Sequence, residues 1–369
     1  MDLTVNRLAL LEELQLIQGV VERRTAIPIL SNILLKAEGD RLELAATDLD
    51  VTVFARCSAV VRQEGKTTVN GKVFVDLVRS LPADSVDMGA HEARLTVRSG
   101  TFTSQLAVLD AADFPTLPEV PEGQGFAVEL GILQRMIDRT AFAVSSEEGH
   151  FQYNAALFLL SPESLQMVAT DGHRLAWTKV GCDTSTPPFE QQLLPRKVLH
   201  QLRRFPADEG ARLYLGRGEN HLAFRLGDRV LLSRVLEARF PQYERVLVRD
   251  NPLRAVVGRH DILSALRRVA LLASERTRGV QMQFDEDSLS LTSVGFDLGQ
   301  ATEMVPCRYR GESVRTLVNA TYVLDFLNAV EGTEVEFQLR DADGPVVMSP
   351  DVGDGSSGEC LYVIMPIRV

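Results

Sequence analysis

Apolar and polar residues alternate in three well-separated stretches of this chain. They are RLELAATDLDVTVFA (41–55), SLQMVATDGHRLAWT (164–178) and SLSLTSVGFDLGQAT (288–302). In each, apolar positions recur every second residue, with a turn of small or polar residues in the middle. That pattern predicts a hairpin of two half-buried strands. Aligning Leu42, Leu165 and Leu289 gives steps of 123 and 124 residues, and apolar residues then coincide two positions on at Leu44, Met167 and Leu291.

Segments with helical spacing keep the same step. One set comprises NRLALLEELQLIQ (6–18), GILQRMIDRTAF (131–142) and RHDILSALRRVALLA (259–273). In the last, Ile262, Leu266, Val269 and Ala270 follow the i, i+4, i+7, i+8 pattern of an amphipathic helix. A second set comprises KVFVDLVRSLP (72–82), RKVLHQLRRFP (196–206) and NATYVLDFLNAV (319–330), with Pro82 and Pro206 ending two of them. FPTLP (114–118), FPQYERV (240–246) and VIMPIRV (363–369) close the three copies. The chain therefore reads as three α+β units, 1–121, 126–248 and 252–369, with helices on one face of antiparallel sheet. Breaks fall near PEVPEGQG (118–125) and RDNP (249–252). The period is too long for a solenoid, and tandem copies of one domain suggest a ring.

Composition narrows the class. At 369 residues, 45% hydrophobic and 24% charged, the chain is an ordinary globular one. It has no apolar run long enough for a membrane helix, and its N-terminus lacks the basic region of a signal peptide. Cys57, Cys182, Cys307 and Cys360 form no CxxC pair. Neither a disulfide framework nor a metal site is expected, and a reducing cytoplasm fits best. The net charge of −11 argues against nucleic acid unless positive charge is segregated. It is segregated by element: the six helical segments hold twelve basic and six acidic residues, leaving −17 for the remainder. Charged residues favouring exposed helix faces would account for this count. So would a basic, helix-lined surface that contacts phosphates without reading bases, with an acidic exterior behind it.

Several strings carry a family resemblance: TAIPILSNILL (25–35), TDLDVTV (47–53), ADFPTLP (112–118), ATDGHRLA (169–176), LPRKVL (194–199), RFPQYERV (239–246), TYVLDFLNAV (321–330) and YVIMPIRV (362–369). Spread over all three units, they resemble the beta subunits of bacterial DNA polymerase III, the sliding clamps. The resemblance implies a ring-shaped, head-to-tail homodimer of the DNA-clamp fold, with helices lining a central hole and antiparallel sheets outside. Such a clamp encircles duplex DNA as a processivity factor for DNA replication and uses no cofactor. Its implied partners are the DNA polymerase III catalytic subunit, clamp-loader subunits, other DNA polymerases, DNA ligase and mismatch-repair proteins. They would insert peptides into a cleft between the second and third domains.

The cleft positions carried over by the resemblance are Tyr153, Thr170, Gly172, His173, Arg174, Leu175, Pro241, Arg245, Val246, Asn319, Tyr322, Val346, Val363, Ile364, Met365, Pro366 and Arg368. Leu175, Pro241, Val246, Val363 and Met365 would receive a partner's Leu and Phe. Arg174, Arg245, Asn319 and Arg368 would hold its polar groups. Thr277 and Met348 depart from the family pattern, and so do Glu147 and Glu148 in the loop at 147–151 that would face DNA. DNA contacts carried over are Arg24, Lys72, Arg196 and Lys197, and the dimer contacts are Leu106 and Val108 with Leu271 and Leu272. Two other readings compete. Asp171 and His173 could serve a hydrolase, although no GxSxG, HExxH or P-loop string accompanies them. A protein scaffold without DNA is the other.

Overall fold

A computed structural model describes residues 1–22, 26–120, 126–147, 151–182, 189–247, 251–293, 299–351 and 358–368. Each sequence repeat folds as strand, helix, four strands, helix, three strands. The first contains β1 (Asp2–Asn6), α1 (Arg7–Ile17), β2 (Asn32–Glu38), β3 (Arg41–Thr47), β4 (Val51–Gln63), β5 (Gly65–Asn70), α2 (Gly71–Ser80), β6 (Ser85–His91), β7 (Arg94–Ser99) and β8 (Phe102–Leu109). The second contains β9 (Phe126–Glu129), α3 (Leu130–Asp138), β10 (Ala155–Leu160), β11 (Ser164–Thr170), β12 (Arg174–Gly181), β13 (Gln191–Pro195), α4 (Arg196–Leu202), β14 (Arg212–Arg217), β15 (His221–Leu226) and β16 (Arg229–Arg234). The third contains β17 (Leu253–Gly258), α5 (Arg259–Ala270), β18 (Gly279–Asp285), β19 (Ser288–Ser293), β20 (Thr302–Tyr309), β21 (Val314–Asn319), α6 (Ala320–Ala329), β22 (Glu334–Leu339), β23 (Val346–Pro350) and β24 (Glu359–Ile364).

Local chemistry explains the helix starts. The side chain of Asn6 accepts from the amides of Leu8 and Ala9, Asn70 from Val73, and Asn319 from Thr321, so three equivalent asparagines cap α1, α2 and α6. In α2, Phe74, Val75 and Val78 are buried while Lys72 and Asp76 face solvent, the spacing of a one-sided helix.

Contacts group the three repeats into two compact units. One holds Met1–Gly131, Thr186–Phe189 and Lys197–Val235; the other holds Ile132–Ser185, Glu190–Arg196 and Leu236–Val369. The cause lies in the strand ladders. In each repeat the strands form two four-stranded runs, such as β1-β6-β7-β8 and β5-β2-β3-β4. In the first unit β4 pairs with β16, Val53 opposite Leu231, so a run from the middle repeat extends the sheet of the first. In the second unit β12 pairs with β24 in the same way, Ala176 opposite Tyr362. Each unit thus carries one 12-stranded sheet.

The cores are correspondingly rich in large side chains. Phe74 and Phe224 are fully buried in the first unit, and Phe158, Phe284, Phe326, Phe337 and Tyr362 in the second. Each stabilises its unit by about 1.5–3 kcal/mol relative to an exposed position. In the first unit Arg229 binds Glu13 at 2.6 Å and Glu12 at 2.5 Å, tying the β15–β16 hairpin to α1. Burial pushes the Cys57 thiol up to about 12 and those of Cys307 and Cys360 to about 11. Among the described residues no cluster of His, Cys, Asp and Glu could hold a metal, and no helix is long and apolar enough to cross a membrane.

Candidate functional site

The β11–β12 hairpin of the second unit turns on Thr170–Arg174. The Asp171 carboxylate accepts from the amides of His173 at 3.0 Å and Arg174 at 3.1 Å. The Thr170 hydroxyl donates to the Arg174 carbonyl at 2.6 Å and accepts from the Gly172 amide at 3.1 Å. Gly172 has φ of +91°, where a side chain would be strained, so glycine suits the turn. The His173 carbonyl then accepts from the Met365 amide at 2.9 Å, which brings the C-terminal strand alongside.

A cavity of about 170 Å³ opens beside this turn. Its walls are Tyr153, Thr170, Gly172, His173, Arg174, Leu175, Pro241, Val246, Val363 and Met365. Gln242 and Tyr243 also line it; both sit in the FPQYERV string but went unassigned by sequence. Leu175 and Val363 face each other across the β12–β24 ladder and are 4% and 1% exposed, so the floor is core packed with Trp177 and Leu157. Met365 is 38% exposed at the mouth. The site is an apolar slot with a polar lip, suited to an aliphatic or aromatic anchor.

The remaining carried-over positions lie outside the lining. Val346 and Ile364 pair across β23–β24 and are fully buried. Arg245 and Arg368 are exposed, and Pro366 is half-buried. The Asn319 side chain is committed to its helix cap, accepting from Thr321 at 2.9 Å. Of the two departures that concern the cleft, Met348 is fully buried, and the Thr277 hydroxyl accepts from the Gly279 amide at 3.4 Å. Neither lines the cavity.

Arg174, on the cavity wall, is also held by a network of its own. Its Nε donates to Asp171 at 2.9 Å, Nη1 to Asp325 at 2.6 Å and to the Tyr362 hydroxyl at 3.4 Å, and Nη2 to the Phe142 carbonyl at 2.6 Å. The guanidinium lies 4.3 Å from the centroid of the Tyr322 ring. Burial opposes its charge, but Tyr362, Asp325 and Asp171 favour the charged form and leave its pKa raised. Arg174 therefore braces this wall of the cleft, joining the turn to α6 and the end of β24.

The candidate DNA-contacting cations are dissimilar. Lys72 is exposed on the first turn of α2, and Arg196 is exposed at the start of α4. Lys197 points into a carboxylate nest, donating to Glu22 at 3.0 Å, to the Val20 carbonyl at 3.1 Å and to Asp48. Arg24 lies outside the described residues, as does most of the loop at 147–151. Other helical cations are also structural. Arg139 is buried, and Arg259 donates to the carbonyls of Leu327 and Gly332.

Two strand halves have one open side each. Phe102–Ala107 of β8 bonds β7, while its other neighbour β5 reaches only Val108 and Leu109. Thr302–Pro306 of β20 bonds β19, while β17 reaches only Cys307–Tyr309. Among the described residues neither half has a strand on its second side. Leu106 and Val108 on β8 are half-buried, Leu272 is half-buried, and Leu271 after α5 is 75% exposed.

Comparison with known proteins supplies the family. Models described as the N-terminal, central and C-terminal domains of the DNA polymerase III beta subunit match residues 1–118, 127–242 and 244–368. The chain is 33% identical to the beta sliding clamp of Pseudomonas aeruginosa and 35% identical to that of Caulobacter vibrioides, covering 100% of each chain. It superimposes on the Bartonella birtlesii sliding clamp, solved bound to griselimycin, with a TM-score of 0.92 at 31% identity and complete coverage of both chains. The chain belongs to the DNA polymerase III beta subunit family, the bacterial sliding clamps.

Proposed function

We propose that two copies of this chain pair head to tail into a ring that encircles duplex DNA without sequence preference and tethers the replicative polymerase. The observation that carries the reading is the recurrence of one strand junction. β4 meets β16, and β12 meets β24, each along the side of the first strand that its own repeat leaves open there. The open half of β20 is the third such position, and the open half of β8 is its complement. Repeating the register places Ser104 of one copy opposite the partner's Ala301, and Leu106 opposite the partner's Gly299. At the β12–β24 junction Phe142, just after α3, rests edge-on against Tyr362 at 5.2 Å. Leu271 occupies the place of Phe142 in the third repeat, with Leu272 next to it, so the two would cover the β8 face carrying Leu106 and Val108. Open edges of this kind are a hazard unless covered.

Within that reading the domains are 1–121, 126–248 and 252–369, each contributing two helices toward the DNA. The protein would act in the cytoplasm as a scaffold with no reaction of its own. Arg24, Lys72 and Arg196 would meet phosphates. The cavity at Leu175, Pro241, Val246, Val363 and Met365 would receive Leu and Phe side chains of polymerase subunits, the clamp loader, ligase and mismatch-repair proteins. Deleting residues 365–369 removes Met365 from that cavity and breaks its bond to His173. The expected outcome is loss of peptide capture and of stimulated primer extension, with native mass unchanged. Retained peptide affinity would place the binding site elsewhere.

A further inference from the structure

The cleft has a counterpart inside the first unit. The β3–β4 turn, Thr47–Val51, copies the Thr170–Arg174 turn bond for bond. The Thr47 hydroxyl donates to the Val51 carbonyl and accepts from the Leu49 amide, and Asp48 accepts from the amides of Asp50 and Val51. The Arg234 amide donates to the Asp50 carbonyl at 2.8 Å, as Met365 does to His173. Beside this turn lies a groove of about 470 Å³ walled by Thr47, Leu49, Thr52, Pro115, Leu117 and Arg234. These occupy the places of Thr170, Gly172, Leu175, Pro241, Tyr243 and Met365. The groove adjoins a cavity of about 630 Å³ through the shared Leu117 and Pro118. That cavity has Leu34, Ala45, Phe54, Val120 and Val230 among its apolar walls.

The chemistry has changed while the frame has not. Thr52 replaces the leucine floor, and Arg234 replaces the methionine at the mouth. The Arg234 side chain is 70% accessible, and its ion partner Asp50 lies at the 4.0 Å limit with 75% of its side chain in water. Leu49 holds φ of +82° where the other turn has glycine, yet leaves 53% of its surface exposed at the rim. Backbone strain of this kind clusters at ligand-binding and active sites. Lys36 and Arg56 at the neighbouring cavity pair with Glu38, Glu43 and Asp228, whereas Arg234, with Asp50 4.0 Å away, offers an accessible cation at the mouth of the groove.

We infer that this groove is a second peptide site, taking an extended segment that lays a Leu or Phe over Phe54 and Val230 and sets an Asp or Glu against Arg234. The inference rests on reading the cleft of the second unit as a peptide site, since the groove repeats its frame. The test uses an array of short synthetic peptides pairing one Leu or Phe with one Asp or Glu at varied spacing. Binding is measured to the full-length protein and to its Arg234→Glu and Met365→Asp variants. Both substituted side chains are accessible, so both variants should fold. A class of peptides that loses about tenfold or more on Arg234→Glu, weakens with salt and ignores Met365→Asp supports the second site. If no peptide responds to Arg234→Glu, or every responder also needs Met365, the inference fails. Failure of the cleft reading would appear separately, as peptides indifferent to Met365→Asp with the Arg234 class intact.

Discussion

Replacing Arg174 by alanine is expected to cost roughly 3–5 kcal/mol of stability, because it strips one partner from a buried ion network and leaves the others behind. The Arg174 side chain is 10% exposed, and the Asp171 and Asp325 side chains it bonds are 15% and 33% exposed. Without the guanidinium, the Phe142 carbonyl also loses the donor it now has from Nη2. The Tyr322 ring loses its cation. Lysine would not substitute well, since one ammonium cannot reproduce a planar fork that reaches Asp171, Asp325 and Phe142 together. Thermal unfolding should therefore shift down by several degrees for Arg174→Ala, with a smaller shift for Arg174→Lys. Peptide affinity at the cleft should fall with both. A variant with unaltered melting and intact binding would show that the network does not shape the cleft.

The second large effect concerns association. Leu271 exposes 75% of its surface in the isolated chain, as an interface residue would before its partner arrives. Leu271→Asp should leave the fold of one copy intact, because 75% of the residue's surface is already in water. It would place a carboxylate against the apolar β8 face of the partner, an unpaired charge taken out of water. The dimer should weaken by roughly a hundredfold or more, and native mass should move from twice 40.8 kDa toward 40.8 kDa at working concentrations. Circular dichroism should be unchanged. Persistence of the dimer would mean that the copies meet elsewhere or not at all.

The three-fold repetition was legible because it rests on local patterns. The hairpins at Leu42, Leu165 and Leu289 are β3–β4, β11–β12 and β19–β20, and the six helical segments correspond to α1–α6. Period-2 alternation and helical spacing survive wherever one face of an element is buried. The two-unit grouping was not legible, because the β4–β16 and β12–β24 ladders join strands from different repeats, and a ladder bond carries no side-chain signature. The same limit governs individual cations. Lys197 and Arg196 are adjacent in LPRKVL, yet one is nested among Glu22 and Asp48 and the other is exposed. Arg174 resembles a rim residue by motif, and only the distant Asp325 and Phe142 make it a brace. Tyr243 could have been found in sequence, since it sits in the conspicuous FPQYERV string and packs on the Leu175–Val363 core.

The central claim is topological, and one measurement addresses it directly. The protein is loaded by a clamp loader onto a nicked circular duplex, freed from unbound protein, and the circle is cut once. A closed ring held only by its topology should stay on the intact circle at high salt and leave within the time of cutting. Protein that remains on the linear product, or that salt strips from the uncut circle, would contradict the account.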